Sequence, residues 1–141
     1  MSIHFYDLGT INETELSFAV ISAIYKGKWV YVKHKGRTSW EIPGGQKEAG
    51  ESIEEAAGRE LYEETGCREA DLIPICDYST DGSHTYGRLF FGRIQEVGPL
   101  PDSEIHEVEL FEELPTSLTY SDIQPKLFEK TFDFIRDLEL G

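Results

Sequence analysis

Apolar and polar residues alternate along this chain at two different periods, and the switches between them mark out the elements. Residues 16–25, LSFAVISAIY, are rich in β-branched and aromatic side chains. With Lys26-Gly27-Lys28 as a turn into WVYVKH, they predict a hairpin. In its second arm Trp29, Tyr31 and Lys33 alternate with Val30, Val32 and His34, so one face is expected to be drier than the other. Residues 72–80 and 85–95 read as two further strands around Asp81-Gly82-Ser83, with Gly92 as a candidate bulge, and 105–111 as another after the loop GPLPDS. The polar first 15 residues hold a small cluster, Ile3, Phe5 and Tyr6, open to an edge strand or a loosely attached segment.

Two stretches have the helical period instead. Over 52–65, Ile53, Ala56, Ala57 and Leu61 share one arc; Ser52 with Glu55 three residues on predicts a capping box, and Gly66 sits where a left-handed stop is wanted. Over 121–138, Ile123, Leu127, Phe128, Phe132, Ile135 and Leu138 predict a closing helix with this stripe in the core. Ser121 or Thr119 is its candidate cap, and Pro125 is tolerable in the opening turn.

The first helix carries the chemistry. Glu54, Glu55, Gly58 and Tyr62 point away from the apolar arc, but Glu60, Glu63 and Glu64 fall within a sector roughly 100° wide that overlaps it. Three carboxylates gathered beside a packing face repel one another and resist desolvation unless cations are supplied. Mg²⁺ and Mn²⁺ favour such oxygen ligands, and Arg59, one turn from Glu55 and Glu63, can buttress the cluster. Just upstream, Trp40-Glu41-Ile42-Pro43-Gly44-Gly45 is a turn whose glycines let the main chain approach a ligand closely.

These residues resemble the signature of the Nudix hydrolases: Gly, five residues, Glu, seven residues, Arg-Glu, an apolar residue, any residue, Glu-Glu, any residue, Gly and a final apolar residue. The chain has Gly45, Glu51, Arg59-Glu60-Leu61, Glu63-Glu64 and Gly66, with Cys67 in the last place as a mild departure. The resemblance implies an α/β/α sandwich with a mixed β-sheet, and metal-dependent hydrolysis of a nucleoside diphosphate linked to another group. It also implies roles. Glu60, Glu63 and Glu64 would bind the metal with the Gly44 carbonyl. Arg59 would orient the glutamates, Glu51 would brace the loop, and Gly45 would shape the turn. Family members often add a glutamate from the region of Glu104 and Glu107; Glu104, at the junction of loop and strand, is preferred. Which carboxylate activates water stays open.

Around this core, Arg37 in the basic loop 35–39 is a candidate for substrate phosphate, and Glu41 for substrate at the approach to the turn. Among the scattered histidines His4, His34, His84 and His106, none has a Ser or Cys partner at recognisable spacing. All four read as structural or surface residues, with His84, beside the 81–83 turn with Tyr86, the best placed to meet a ligand.

A chain of 141 residues with 39% hydrophobic and 12% aromatic content suits one domain over 1–141. Its formal charge of −14 argues against a grip on long nucleic acid and fits a substrate that arrives with its own Mg²⁺. Cys67 and Cys76 suggest reduced thiols near the core, and neither a secretory leader nor a membrane span is expected, so the reading is cytoplasmic; a homodimer stays open. The leading expectation is a MutT-like nucleoside triphosphate pyrophosphohydrolase, releasing a monophosphate and pyrophosphate and extending to oxidised purine nucleotides. The alternatives are removal of pyrophosphate from the 5′ end of RNA, cleavage of ADP-ribose or a nucleotide sugar, and a nucleotide sensor without turnover.

Overall fold

The computed structural model describes residues 2–81 and 84–140, with side chains through 138. In chain order come β1 (Ile3–Tyr6), a 3-10 turn (Glu13–Glu15), β2 (Leu16–Tyr25), β3 (Lys28–His34), β4 (Gly44–Gln46), α1 (Ile53–Thr65), β5 (Cys67–Thr80), β6 (Tyr86–Val97), β7 (Ile105–Phe111) and α2 (Gln124–Leu140). The sheet runs β1-β5-β6-β2-β3-β7, with β4 added on β2. Strands β2 and β6 are parallel and the other pairs antiparallel, so the sheet is mixed, with α1 on one face and α2 on the other.

Burial on both faces explains why β2 reads as a continuous apolar run rather than an alternating one. Ala19, Ile21 and Ala23 join Ile53, Ala57, Leu61 and Phe90 under α1, while Phe18 and Val20 turn to the opposite core of Tyr31, Tyr78, Leu89, Ile123 and Leu127 under α2. The free edge of β2 is divided. Strand β4 takes its first half at Phe18, Ala19 and Val20, and β3 only its end at Ile24 and Tyr25 before leaving to pair with β7. Residues 41–46 fill the fork. Glu41 and Val32 exchange main-chain hydrogen bonds of 2.8 and 2.9 Å, and the Pro43 carbonyl accepts from the Ile21 N–H at 2.8 Å. The Gly44-Gly45 bend is thereby tied to two strands at once.

The first residues do form an edge strand, pairing Ile3–Tyr6 with β5. Strand β5 starts at Cys67, directly after the helix stop, because CREAD pairs with β6 through register shifts. Of the turn at 81–83, Gly82 and Ser83 lie outside the described residues. Gly92 is not a bulge; its register with Leu72 and Ala23 is regular, and a Cβ there would come within 2.8 Å of the Ile21 side chain. Helix α2 starts at Gln124, and the Thr119 hydroxyl bonds to Ser39 instead of capping it.

The predicted α2 stripe is only partly buried: Phe132 is 54% and Leu138 49% exposed. At roughly 100° per residue, Phe132 falls far round the helix from Leu127, and the buried position one turn on from Leu127 belongs to Thr131. Leu138 shares the buried side by angle but is half exposed near the end of the helix. Cys67 and Cys76 are free and buried.

Candidate active site

Both ends of α1 are closed, which fixes the direction of everything between. The Ser52 hydroxyl accepts the Glu55 N–H at 3.0 Å while the Glu55 carboxylate accepts the Ser52 N–H at 2.9 Å. Gly66, at φ 79°, ends the helix with its N–H on the Tyr62 carbonyl. Ile53, Ala56, Ala57 and Leu61 are buried against the sheet, so Glu60, Glu63 and Glu64 project along the flank beside β4.

Arg59 gathers the acidic side chains. Its Nε and Nη2 donate to Glu51 at 2.6 and 3.0 Å, and its Nη1 to Glu60 at 2.6 Å and Glu63 at 2.9 Å. Nη2 also donates to the Gln46 carbonyl at 2.9 Å, tying the helix to the end of β4. Glu51 additionally accepts the Glu48 N–H, and the Arg59 guanidinium holds its carboxyl down at about 2. Glu55, the other turn neighbour of Arg59, is occupied by the cap.

Glu64 points the other way, into the fork. It is 6% exposed, its Oε1 accepts the Gly44 N–H at 3.0 Å, and its Oε2 lies 3.7 Å from His34 Nε2. His34 is in turn 3.8 Å from Glu41, whose other oxygen is 3.3 Å from Arg37. Burial pushes the Glu64 carboxyl up to about 8; the Gly44 N–H opposes the shift, and Glu60, Glu41 and Glu63 add to it. Glu60 is also raised, by burial, against the pull of Arg59.

The glycines bring the main chain into this cluster. Because Pro43 pairs with Ile21, the N–H and carbonyl of Gly44 face away from β2, on the side where Glu64 sits. Gly45 lies so close to Glu60 that a Cβ would overlap its carboxylate. A Gly45→Ala variant is therefore expected to displace Glu60 and weaken divalent-cation binding at the cluster on the order of tenfold. Calorimetric titration with Mg²⁺ and Mn²⁺ measures it.

Among the described residues no three acidic, histidine or cysteine side chains converge as they stand into a cage for an ion, since Arg59 holds Glu60 and Glu63 while Glu64 faces Gly44. The donor set nevertheless fits a small hard cation. It consists of carboxylates and a main-chain carbonyl, and positive charge would relieve the desolvation that raises Glu60 and Glu64.

Other expected site residues are dispersed. Glu104 is exposed, and its carbonyl accepts the Lys35 N–H at 2.7 Å. Glu107 faces Lys33 at 3.7 Å and lines a cavity of about 470 Å³ beyond the C-terminal end of α1, between Tyr25, Val30, Leu100 and Leu110. Neither carboxylate is hydrogen-bonded to the α1 cluster among the described residues. His84 is exposed; Tyr86 packs edge-on against Tyr6 at 5.8 Å and beside the core under α1. Glu41 lies in the fork, where it pairs with Val32 and is met by Arg37.

Two residues join the site without a motif to mark them. His34, expected as a surface or structural residue, faces Glu64, on the Val30 and Val32 side of β3. Gln124 lines a cavity of about 340 Å³ on the opposite side of the Gly44-Gly45 bend, with Phe18, Tyr78, Tyr120, Ile123 and Leu127. Nothing local marked it.

A mixed sheet between two helices, with an acidic helix set against a double-glycine bend, is the arrangement the motif implied. The NUDIX domain family matches residues 15–132, and the chain belongs to that family. It is 36% identical over 98 residues to a Bacillus subtilis (strain 168) protein with the provisional name 8-oxo-dGTP diphosphatase YtkD, covering 67% of this chain and 61% of that one. It is 34% identical over 122 residues to a Mycobacterium tuberculosis (strain CDC 1551 / Oshkosh) protein provisionally named mutator protein MutT4, covering 77% of this chain and 47% of that one. In both cases the matched segment spans less than two thirds of the relative. Among solved structures, the Bacillus subtilis pyrophosphohydrolase BsRppH, crystallised as a point mutant, superimposes with a TM-score of 0.79 at 26% identity over 93% of this chain and 90% of that one. Among the described residues no helix is long and apolar enough to cross a membrane.

Proposed function

We propose that this protein is a metal-dependent pyrophosphohydrolase that converts a nucleoside triphosphate, including oxidised purine forms, to the monophosphate and pyrophosphate. The observation that carries the reading is the placement of Glu60 and Glu64 against Gly45 and Gly44, with a part-aromatic cavity on the other side of the same bend. A nucleotide can then lie across the bend, its base in the cavity and its phosphates at the helix. The name carried by the relative YtkD, 8-oxo-dGTP diphosphatase, supports the same substrate class.

Glu60, Glu63 and Glu64, with the Gly44 carbonyl, would hold Mg²⁺ or Mn²⁺, and Glu104 is the further candidate ligand. Such a cation would supply positive charge against the phosphate oxygens. The chain itself contributes orientation and proton transfer. Arg59 and Glu51 fix the directions of Glu60 and Glu63, the Gly44 N–H fixes Glu64, and one of these carboxylates takes the proton from the attacking water. Arg37 stands at the fork, where it can meet phosphate.

Incubation of the purified protein with Mg²⁺ and a nucleotide panel, read by product mass, tests the proposal. Monophosphate and pyrophosphate are the expected products. Release of pyrophosphate only from 5′-triphosphorylated RNA, or cleavage only of ADP-ribose or a nucleotide sugar, would move the assignment to those substrates. Binding without any product would make the protein a sensor.

A further inference from the structure

Strand β7 stands at one end of the sheet order, with β3 on its inner side. Which of its main-chain groups face outward follows from Val32. Both the N–H and the carbonyl of Val32 are taken by Glu41, at 2.9 and 2.8 Å, so the pair of Val32 with Val108 has no hydrogen bonds across it. Bonded and unbonded pairs alternate along an antiparallel ladder. The register is regular from Trp29 with Phe111 to Lys33 with Glu107, so Glu107, Glu109 and Phe111 bond to β3 while Val108 and Leu110 turn N–H and carbonyl away from it. Neither residue has a hydrogen-bond partner on that outer side among the described residues.

The two faces of this edge differ. Side chains alternate across a strand, and Val108 and Leu110 line the cavity of about 470 Å³ with Tyr25, Val30, Ile94 and Leu100. Leu100 and Leu110 are 39% and 36% exposed, so apolar wall reaches the surface beside the edge. Glu107 and Glu109 fall on the opposite face, Glu107 beside Lys33 at 3.7 Å and Glu109 exposed. Over 104–113, EIHEVELFEE, the chain carries five glutamates and neither lysine nor arginine.

An unpaired strand edge is a template for another strand. A second copy of this chain fits it poorly, because two β7 edges brought together would set glutamates against glutamates on chains of formal charge −14 each. We propose that β7 is a docking edge for an extended segment of a partner protein in which lysine or arginine alternates with aliphatic residues. The segment adds as the next strand. Its main chain bonds to Val108 and Leu110, its aliphatic side chains extend over the cavity, and its cations face Glu107 and Glu109. The site makes no use of Glu60, Glu63 or Glu64, so it stands whether or not the hydrolase reading holds.

The probe is the peptide acetyl-Lys-Val-Lys-Leu-Lys-Val-Lys-amide, titrated into the full chain at low salt, with amide hydrogen exchange followed residue by residue by NMR. In the free protein the Val108 and Leu110 amides should exchange faster than those of Glu107, Glu109 and Phe111. Saturating peptide should slow exchange at Val108 and Leu110 about tenfold or more. Leu110→Pro removes an outward donor at a place where an edge strand tolerates proline, and should weaken binding about tenfold. Glu109→Lys should weaken it too and flatten its salt dependence. The reordered peptide acetyl-Lys-Lys-Val-Leu-Val-Lys-Lys-amide has the same charge without the alternation, and should bind more weakly and protect neither amide. Thermal melting shows that each variant is folded, and Glu109→Lys, at an exposed position, keeps the test intact should Leu110→Pro fail to fold.

Absence of saturable binding up to about 1 mM peptide would overturn the inference, as would equal binding of the reordered peptide, which would reduce it to charge alone. Affinity unaltered in the folded variants would do the same. So would protection of Val108 and Leu110 in the free protein together with a dimeric mass by light scattering, since the edge would then belong to a second copy. Shifts confined to the cavity, without protection of the two amides, would leave a pocket for a small apolar molecule and no docking strand.

Discussion

Replacing Glu64 with Gln should lower turnover by roughly 10²–10⁴-fold while leaving the fold intact. The amide has the size of the carboxylate, and its oxygen can still accept the Gly44 N–H that now holds Oε1 at 3.0 Å. What is lost is the charge beside Glu60 and His34. Steady-state rates with Mg²⁺ measure the loss, and unchanged rates would remove Glu64 from the site.

The same substitution should have the opposite effect on stability when metal is chelated. Folding raises the Glu64 carboxyl from 4.5 to about 8, so between those values the folded state binds more protons than the unfolded one. Stability contributed at this position is therefore lost as pH climbs through that window. At neutral pH the penalty is of order 3 kcal/mol, and Gln, which has no proton to lose, escapes it. In EDTA the melting temperature of the unmodified protein should fall from pH 5 to pH 8 more steeply than that of Glu64→Gln. Parallel pH dependences would mean that Glu64 is not held protonated by burial.

The second large effect is expected at Arg59. One guanidinium serves Glu51, Glu60, Glu63 and the Gln46 carbonyl, joining the helix to both ends of the segment between β4 and α1. Arg59→Ala leaves Glu60 and Glu63 facing each other without a cation and frees Glu51 to move. Its partners are partly in water, so the loss of stability is discounted to about 1–3 kcal/mol. Mg²⁺ affinity should weaken about 10–100-fold, as for other residues that orient metal ligands. Arg59→Lys should recover little, because a single ammonium cannot span a bidentate contact to Glu51 and a second to Glu60. Denaturant melts and Mg²⁺ titrations of activity separate the two losses.

Much of this site is local in origin, and that part could be read along the chain. The capping box at Ser52 and Glu55, the stop at Gly66 and the burial of Ile53, Ala56, Ala57 and Leu61 arise within one helix. The directions of Glu60, Glu63 and Glu64 follow from their spacing. Phe132 shows the limit of the same method: periodicity put it in the core, but Thr131 occupies the buried position one turn after Leu127, and which side of a broad stripe packs depends on the sheet beneath.

The helix and its ends, most of the strands, and a concentration of carboxylates that calls for cations were legible along the chain, because propensity, capping and side-chain period act over a few neighbouring residues; the short β4 in the glycine turn and the early start of β5 were not. The long-range packing sets how those carboxylates divide, Glu60 and Glu63 to Arg59 and Glu64 to Gly44, and it brings His34 to Glu64 and Gln124 to the far side of the same bend. Those contacts depend on β3 leaving β2 and on α2 returning to Ile42 across 82 positions of chain. No local preference encodes a meeting of that kind; it exists once both cores have closed on the sheet.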